Sequence, residues 1–304
     1  MTLRALRDRL LLQEDLNFLL TNRVPRRALT LLMGWFSRIE NRLLCRLSIA
    51  VWRLFTDLDL SEAEQRSFPS LHACFTRRLK PGARPVDGRR GVLVSPCDAI
   101  VGACGPIAGT EVFQAKGFPY ALPELLGSRM EGEPFRDGQF VTLRLTSAMY
   151  HRFHAPADGR VTHLRYLSGD TWNVNPIALK RVERLFCRNE RAVLRMQLGE
   201  GGWPVLLVPV AAILVASIRL NFIDVRFHLR YRGAHDIACD APVKRGEELG
   251  WFEHGSTIIA LLPAGFRLAD GIETGQRIRM GQALAWAPDA VAQDINSQAQ
   301  EAST

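Results

Sequence analysis

From Val92 onward, glycine and proline cut the chain into short β-forming runs, and this punctuation rules out a mainly helical fold for the larger part of the molecule. The runs 92–94 and 99–101 flank a lone carboxylate, Asp98. Residues 140–146 alternate apolar and polar with period two, the pattern of a half-buried strand. Residues 160–167 read as another strand, and 192–198 is predicted to pair with 203–210 across the turn Gly199-Glu200-Gly201-Gly202. The uncharged stretch 201–218 reaches the length at which a membrane span has to be considered. Pro204 and Pro209 interrupt it, many of its residues are β-branched and a glycine turn opens it, so buried strands of a mostly β core fit it better.

The N-terminal region has a different texture. Residues 27–55 are apolar and helix-compatible, but Arg38, Glu40, Arg42, Arg46 and Arg53 interrupt them. The longest uncharged run, 28–37, falls well short of the roughly 20 apolar residues that a span needs. Arg38, Arg42 and Arg46 recur at i, i+4, and Arg53 returns to the same side, which leaves Leu43, Leu44, Leu47, Trp52, Leu54 and Phe55 for an apolar surface. A basic amphipathic helix carrying Trp and Phe suits the headgroup region of a bilayer; a helix packed on its own domain with a solvated basic edge is the plainer alternative. Residues 58–90 are polar and partly helical, and by themselves pass for a basic linker.

A formal charge of +8 and a pI near 9.6 attract polyanions. On charge alone nucleic acid and anionic lipid headgroups are both admissible, and no paired Cys/His finger spacing or aromatic ribonucleoprotein strand motif is present. Six scattered cysteines, 45, 74, 97, 104, 187 and 239, form no Cys-x-x-Cys pair and read as reduced thiols on the cytosolic side. Residues 1–13 lack the sustained apolar core and small-residue cleavage site of a signal peptide.

Three stretches carry groups that could do chemistry: Asp98, the pair His151 and His154 in Tyr150-His151-Arg152-Phe153-His154-Ala155-Pro156, and Glu253-His254-Gly255-Ser256-Thr257-Ile258-Ile259. Together they supply an acid, a base and a hydroxyl. Serine is a weak nucleophile until a base takes its proton, and the imidazole in turn needs a partner that sets its tautomer. Each stretch alone has a bland reading: a Gly-Ser turn, a turn carboxylate, a structural His-x-x-His pair. No zinc-type spacing ties His163, His228 or His235 to that pair, so no metal is expected. Finally, 243–251 and 278–286 echo each other as strand, tight glycine turn and strand, which suggests either two similar halves of a barrel-like sandwich or two ordinary hairpins.

With Leu185-Phe186-Cys187-Arg188-Asn189-Glu190-Arg191 and Lys244-Arg245-Gly246-Glu247-Glu248-Leu249-Gly250 added, these motifs, in this order from about Leu19 to Trp286, resemble the membrane-bound phosphatidylserine decarboxylase proenzymes of the bacterial type. The resemblance implies that the chain cuts itself between Gly255 and Ser256. Ser256 Oγ attacks the Gly255 carbonyl and the acyl group shifts from nitrogen to oxygen. Elimination then leaves dehydroalanine, which hydrolyses to a pyruvoyl group and ammonia. Gly255 suits this step because it reaches strained backbone and offers no Cβ to block approach. Asp98, His154 and Ser256 become the catalytic set, with Thr257 as a donor to the developing oxyanion. The pyruvoyl cofactor condenses with the serine headgroup as a Schiff base and takes up the electrons left when CO2 departs. His151 is assigned to substrate positioning or protonation of the α-carbon. Two departures stand out: His254 precedes Gly-Ser where an apolar residue is usual, and Asn173-Val174-Asn175 replaces an expected Ser-Val-Asn.

The expectation is therefore an α+β chain in which N-terminal membrane-associating helices precede a mostly antiparallel β-sandwich or barrel-like catalytic domain. Residues 1–90 form the membrane-binding region and linker, 91–287 the catalytic domain, and 288–304 a polar tail without a fold of its own. Self-cleavage yields chains 1–255 and 256–304, which stay together as a heterodimer, with assembly into a higher homo-oligomer left open by the sequence. The expected substrate is phosphatidylserine, met at an anionic membrane surface by a peripheral protein on its cytoplasmic side. The competing readings are a Ser-His-Asp hydrolase of an external acyl substrate and a non-catalytic lipid-binding module.

Overall fold

The computed structural model describes residues 14–113, 118–214, 217–253 and 256–288. Three helices come first: α1 (Glu14–Asn22), α2 (Arg26–Phe36) and α3 (Arg42–Phe55). The single helix expected over 27–55 is broken at residues 37–41, where Asn41 accepts a hydrogen bond from Leu44 N at 2.9 Å and starts α3 afresh. Cys45 is buried, and Ile49 and Trp52 pack beside it, on the inner side of α3. Leu43, Leu47, Val51, Leu54 and Phe55 face outward at 55–67 % exposure, one stripe at helical spacing. Leu31, Leu32 and Trp35 continue that apolar surface on α2. Among the described residues no helix is long and apolar enough to cross a membrane.

Residues 58–90 are not a passive linker. A short helix, α4 (Leu71–Phe75), buries Cys74 and Phe75. Beyond it, the Arg77 guanidinium donates to Ala148 O and Met149 O, at 2.9 and 3.2 Å. The strap then runs past Asp98 to Asp87, whose N–H donates to Gly281 O at 2.8 Å.

The remainder is built on an eight-stranded antiparallel sheet. Its order is Asp236–Val243, Gly159–Leu167, Arg191–Leu198, Trp203–Val210, Thr257–Leu262, Gln139–Arg144, Ala99–Pro106 and Arg277–Ile278. The predicted hairpin is present, with Leu198 opposite Trp203. The two outer strands do not pair with each other, so the sheet stays open and no barrel closes. The Thr257–Leu262 strand lies in the middle, is buried throughout, and pairs on both sides. Alternation fails there because a central strand covered on both faces is apolar on both. Four- and three-stranded sheets and a small ribbon complete the fold.

The echoed segments are related halves, though not hairpins. In one half Val92–Val94 pairs with Ala283–Trp286, and Ala99–Pro106 with Arg277–Ile278. In the other Arg152–His154 pairs with Glu248–Phe252, and Gly159–Leu167 with Asp236–Val243. The bonds match atom for atom. Gly281 N donates to Ser95 O at 3.0 Å and Gly246 N to Ala155 O at 2.8 Å; Met280 N reaches Asp98 Oδ1 at 2.9 Å and Arg245 N reaches Asp158 Oδ1 at 2.8 Å. Val94 N–Pro156 O and His154 N–Pro96 O then cross between the halves, making a local pseudo-two-fold. Gly281 has φ +89° and a Cβ there would meet Pro85 O at 2.4 Å, so only glycine fits.

Candidate active site

Ser256 opens the central strand, and its carbonyl accepts from Leu145 N at 2.8 Å. Both Ser256 and Thr257 are fully buried, and neither hydroxyl has a hydrogen-bond partner among the described residues. Buried polar atoms are nearly always satisfied, so two adjacent orphan hydroxyls at one strand end stand out beside the proposed cleavage point. Their proposed cleavage partner Gly255, and His254 before it, lie outside the described residues.

His154 ends the Arg152–His154 strand and is buried. Its Nδ1 lies 2.9 Å from Gly246 O, a pure acceptor, so Nδ1 carries the proton and donates. Nε2 is left as the acceptor, and Tyr150 O–H donates to it at 3.0 Å. Burial pushes the His154 pKa below its ordinary value, against the opposing pull of the Gly246 bond. At neutral pH the ring is therefore an uncharged base in a fixed tautomer.

Asp98 sits elsewhere in this network than the sequence suggests. Both its oxygens receive the Arg84 guanidinium, from Nε at 2.8 Å and Nη2 at 2.5 Å, and Oδ1 also takes the Met280 amide. No hydrogen bond among the described residues joins Asp98 to His154 or His154 to Ser256. The acceptor that orients His154 is the Gly246 carbonyl. Asp98 acts on the ring through its charge, which favours the protonated imidazole.

His151 is fully buried, its ring 4.8 Å from that of Phe75, which stacks in turn on Trp52 at 4.5 Å. Its carbonyl accepts from Phe252 N at 3.0 Å, tying it to the strand that leads into the cleavage segment. Immediately after Phe252, Glu253 is buried and ion-paired with Arg38 from the α2–α3 break. His72 Nε2 lies 3.9 Å from the same carboxylate, and its own N–H donates to Ser37 O.

Sequence reasoning missed Tyr150, Gly246 and Arg84 as partners, although the first two lie inside the motifs quoted for the site. Gly246 and Arg84 act through contacts 92 residues apart for His154–Gly246 and 14 apart for Arg84–Asp98, which no local pattern encodes; Tyr150 is only four residues from His154. A cavity of about 270 Å³ adjoins the Ser256 end of the sheet, lined by Arg144, Ser147, Asn173, Val174, Asn175 and Ala212 among others. The Asn173-Val174-Asn175 segment singled out in the sequence thus lies at a pocket.

A family profile described as phosphatidylserine decarboxylase matches residues 71–285. Among similar proteins, the phosphatidylserine decarboxylase proenzyme of Halorhodospira halophila is 40% identical over 237 residues, covering 75% of this chain and 78% of the relative. Those of Brevibacillus brevis and Methylibium petroleiphilum are each 36% identical, over 88% and 91% of this chain and 96% and 99% of their own lengths. The profile spans both halves of the β fold and every candidate residue, so the chain belongs to the phosphatidylserine decarboxylase family.

Proposed function

We propose that this phosphatidylserine decarboxylase matures by cutting itself between Gly255 and Ser256, with His154 as the base, Ser256 as the nucleophile and Asp98 as the charge that steadies the protonated base. The observation that carries the reading is the buried Ser256 hydroxyl at the head of the central strand, which has no hydrogen-bond partner among the described residues. Its surroundings suit the pyruvoyl group that the family uses: a strand-anchored carbonyl and a neutral imidazole of defined tautomer. When formed, that group supplies an electron sink for loss of CO2 from the serine headgroup. His151 is assigned to positioning the substrate or returning a proton to its α-carbon.

The fold also supports a two-chain product. Residues 257–262 lie between two strands of the other chain, and Ala283–Trp286 pairs with Val92–Val94. Cutting one peptide bond leaves these ladders intact, so the heterodimer holds without a covalent link. The apolar stripe on α2 and α3, flanked by exposed Arg42, Arg46 and Arg53, matches a peripheral membrane surface with anionic lipids, and we place it on the cytoplasmic leaflet.

Intact-mass measurement of purified protein, before and after borohydride reduction with phosphatidylserine present, tests this. The expected result is two chains, 1–255 and 256–304, the second lighter than its encoded mass and trapping the amine. A single uncut chain that still decarboxylates phosphatidylserine overturns the assignment of Ser256.

A further inference from the structure

Arg144 ends the Gln139–Arg144 strand opposite Thr257, one residue from Ser256 in the ladder. It lines the 270 Å³ cavity, and among the described residues no hydrogen bond or ion pair engages its guanidinium. Three other buried or half-buried arginines near the site are engaged: Arg77 on carbonyls, Arg84 on Asp98 and Glu62, Arg152 on Glu248 and Thr76 O. A largely buried cation with no anion is costly unless a ligand supplies one. Burial alone pulls the Arg144 pKa down, which is the signature of a site lacking its counter-charge.

The serine headgroup offers two anions, a carboxylate and a phosphodiester. The carboxylate leaves as neutral CO2, so a guanidinium paired with it would stabilise the ground state more than the transition state and oppose the reaction. The phosphodiester keeps its charge throughout, and pairing with it anchors the substrate at no cost to the chemical step. The same cavity is also lined by Val174, Ala212 and Ile213, apolar side chains beside which a carboxylate loses water and its departure is favoured.

Resting on the decarboxylase reading above, we infer that Arg144 recognises the phosphodiester of the headgroup, and that the carboxylate lies against the Val174–Ala212 side. The cavity's own attachments favour a lipid as the source. Asn173 N donates to Asn22 Oδ1 at 3.1 Å, Asn175 Nδ2 to Asn17 Oδ1 at 3.1 Å and Leu214 N to Thr30 Oγ1 at 3.0 Å. These bonds seat the lining on α1 and α2, and α2 carries part of the exposed apolar stripe.

The test compares wild type, Arg144→Met and Arg144→Lys on dihexanoyl phosphatidylserine, on glycerophosphoserine and on a phosphate-free O-alkyl serine. Mass spectrometry first establishes that each variant is processed. Arg144→Met is expected to lose about 100-fold in kcat/KM on both phosphodiesters, chiefly in KM, and less than about threefold on the O-alkyl serine. Arg144→Lys should recover part of the loss. A wild-type preference for dihexanoyl phosphatidylserine over glycerophosphoserine adds the lipid as source; equal use of both leaves the phosphodiester alone as the recognised group. Equal loss on all three substrates, or no loss, overturns the inference. If Arg144→Met is not processed, competitive inhibition by glycerophosphate decides: Arg144→Lys must weaken it, and unchanged inhibition overturns the proposal. Wild type that decarboxylates none of the three fails at the decarboxylase reading instead.

Discussion

Asp98 and Asp158 each accept a hydrogen bond from the amide before a turn glycine, at matching places in the two halves of the fold. The bland reading of Asp98, a turn carboxylate, is therefore correct as far as it goes. What sets Asp98 apart is burial, the Arg84 pair and an electrostatic effect on His154 that Asp158 does not exert. Asparagine keeps the acceptor for the turn amide and removes only the charge. Asp98→Asn is accordingly expected to slow self-cleavage tenfold or more, while Asp158→Asn leaves it within about twofold. Gel analysis of newly made protein, with Tm measured alongside, checks this; normal maturation of Asp98→Asn removes that residue from the catalytic set.

At the scale of elements, α3 has two distinct faces, one packed inward and one exposed and apolar. Trp52, expected on the outer apolar surface, turns inward instead and stacks on Phe75, because residues 45, 49 and 52 share the face that meets the Phe68–Cys74 cluster. The outer stripe is left to Leu43, Leu47, Val51, Leu54 and Phe55. Each such side chain, moved from water into the headgroup boundary, contributes on the order of 1 kcal/mol. Leu47→Glu with Leu54→Glu should release the protein from phosphatidylglycerol-containing vesicles in a sedimentation assay by at least tenfold while self-cleavage proceeds normally. Vesicle binding that survives both changes would show that these helices do not form the membrane face.

For the molecule as a whole, folding buries a carboxylic acid, Glu190, that has no part in the proposed chemistry. Glu190 receives the Tyr166 O–H, and burial, its main influence, raises its pKa to about 7. A carboxyl whose folded pKa exceeds its unfolded value near 4.5 stabilises the fold fully below pH 4.5 and loses that contribution as pH rises through about 7. The amount at stake is on the order of 3 kcal/mol. Glu190→Gln, neutral at every pH, is expected to raise Tm relative to wild type at pH 8 and to lose that advantage at pH 5. A Tm difference independent of pH between those values would mean that Glu190 titrates normally.

The short strands, the hairpin at Gly199–Gly202 and the amphipathic stripe were all legible in the chain, because period-two alternation, turn glycines and helical spacing are local consequences of backbone geometry, whereas the proposed cleavage motif was read from the family resemblance. The echo between 243–251 and 278–286 left two related halves and two ordinary hairpins both open. The tertiary structure alone decided that those halves exchange strands between sheets rather than closing as hairpins, since strand pairing depends on which distant edges meet. It also decided the partners: Gly246 rather than a carboxylate on His154, Arg84 on Asp98, and no protein acceptor among the described residues for Arg144. Residue types limit which bonds are possible, but satisfying a buried polar atom is a long-range matter, settled only when the whole fold brings one acceptor within reach.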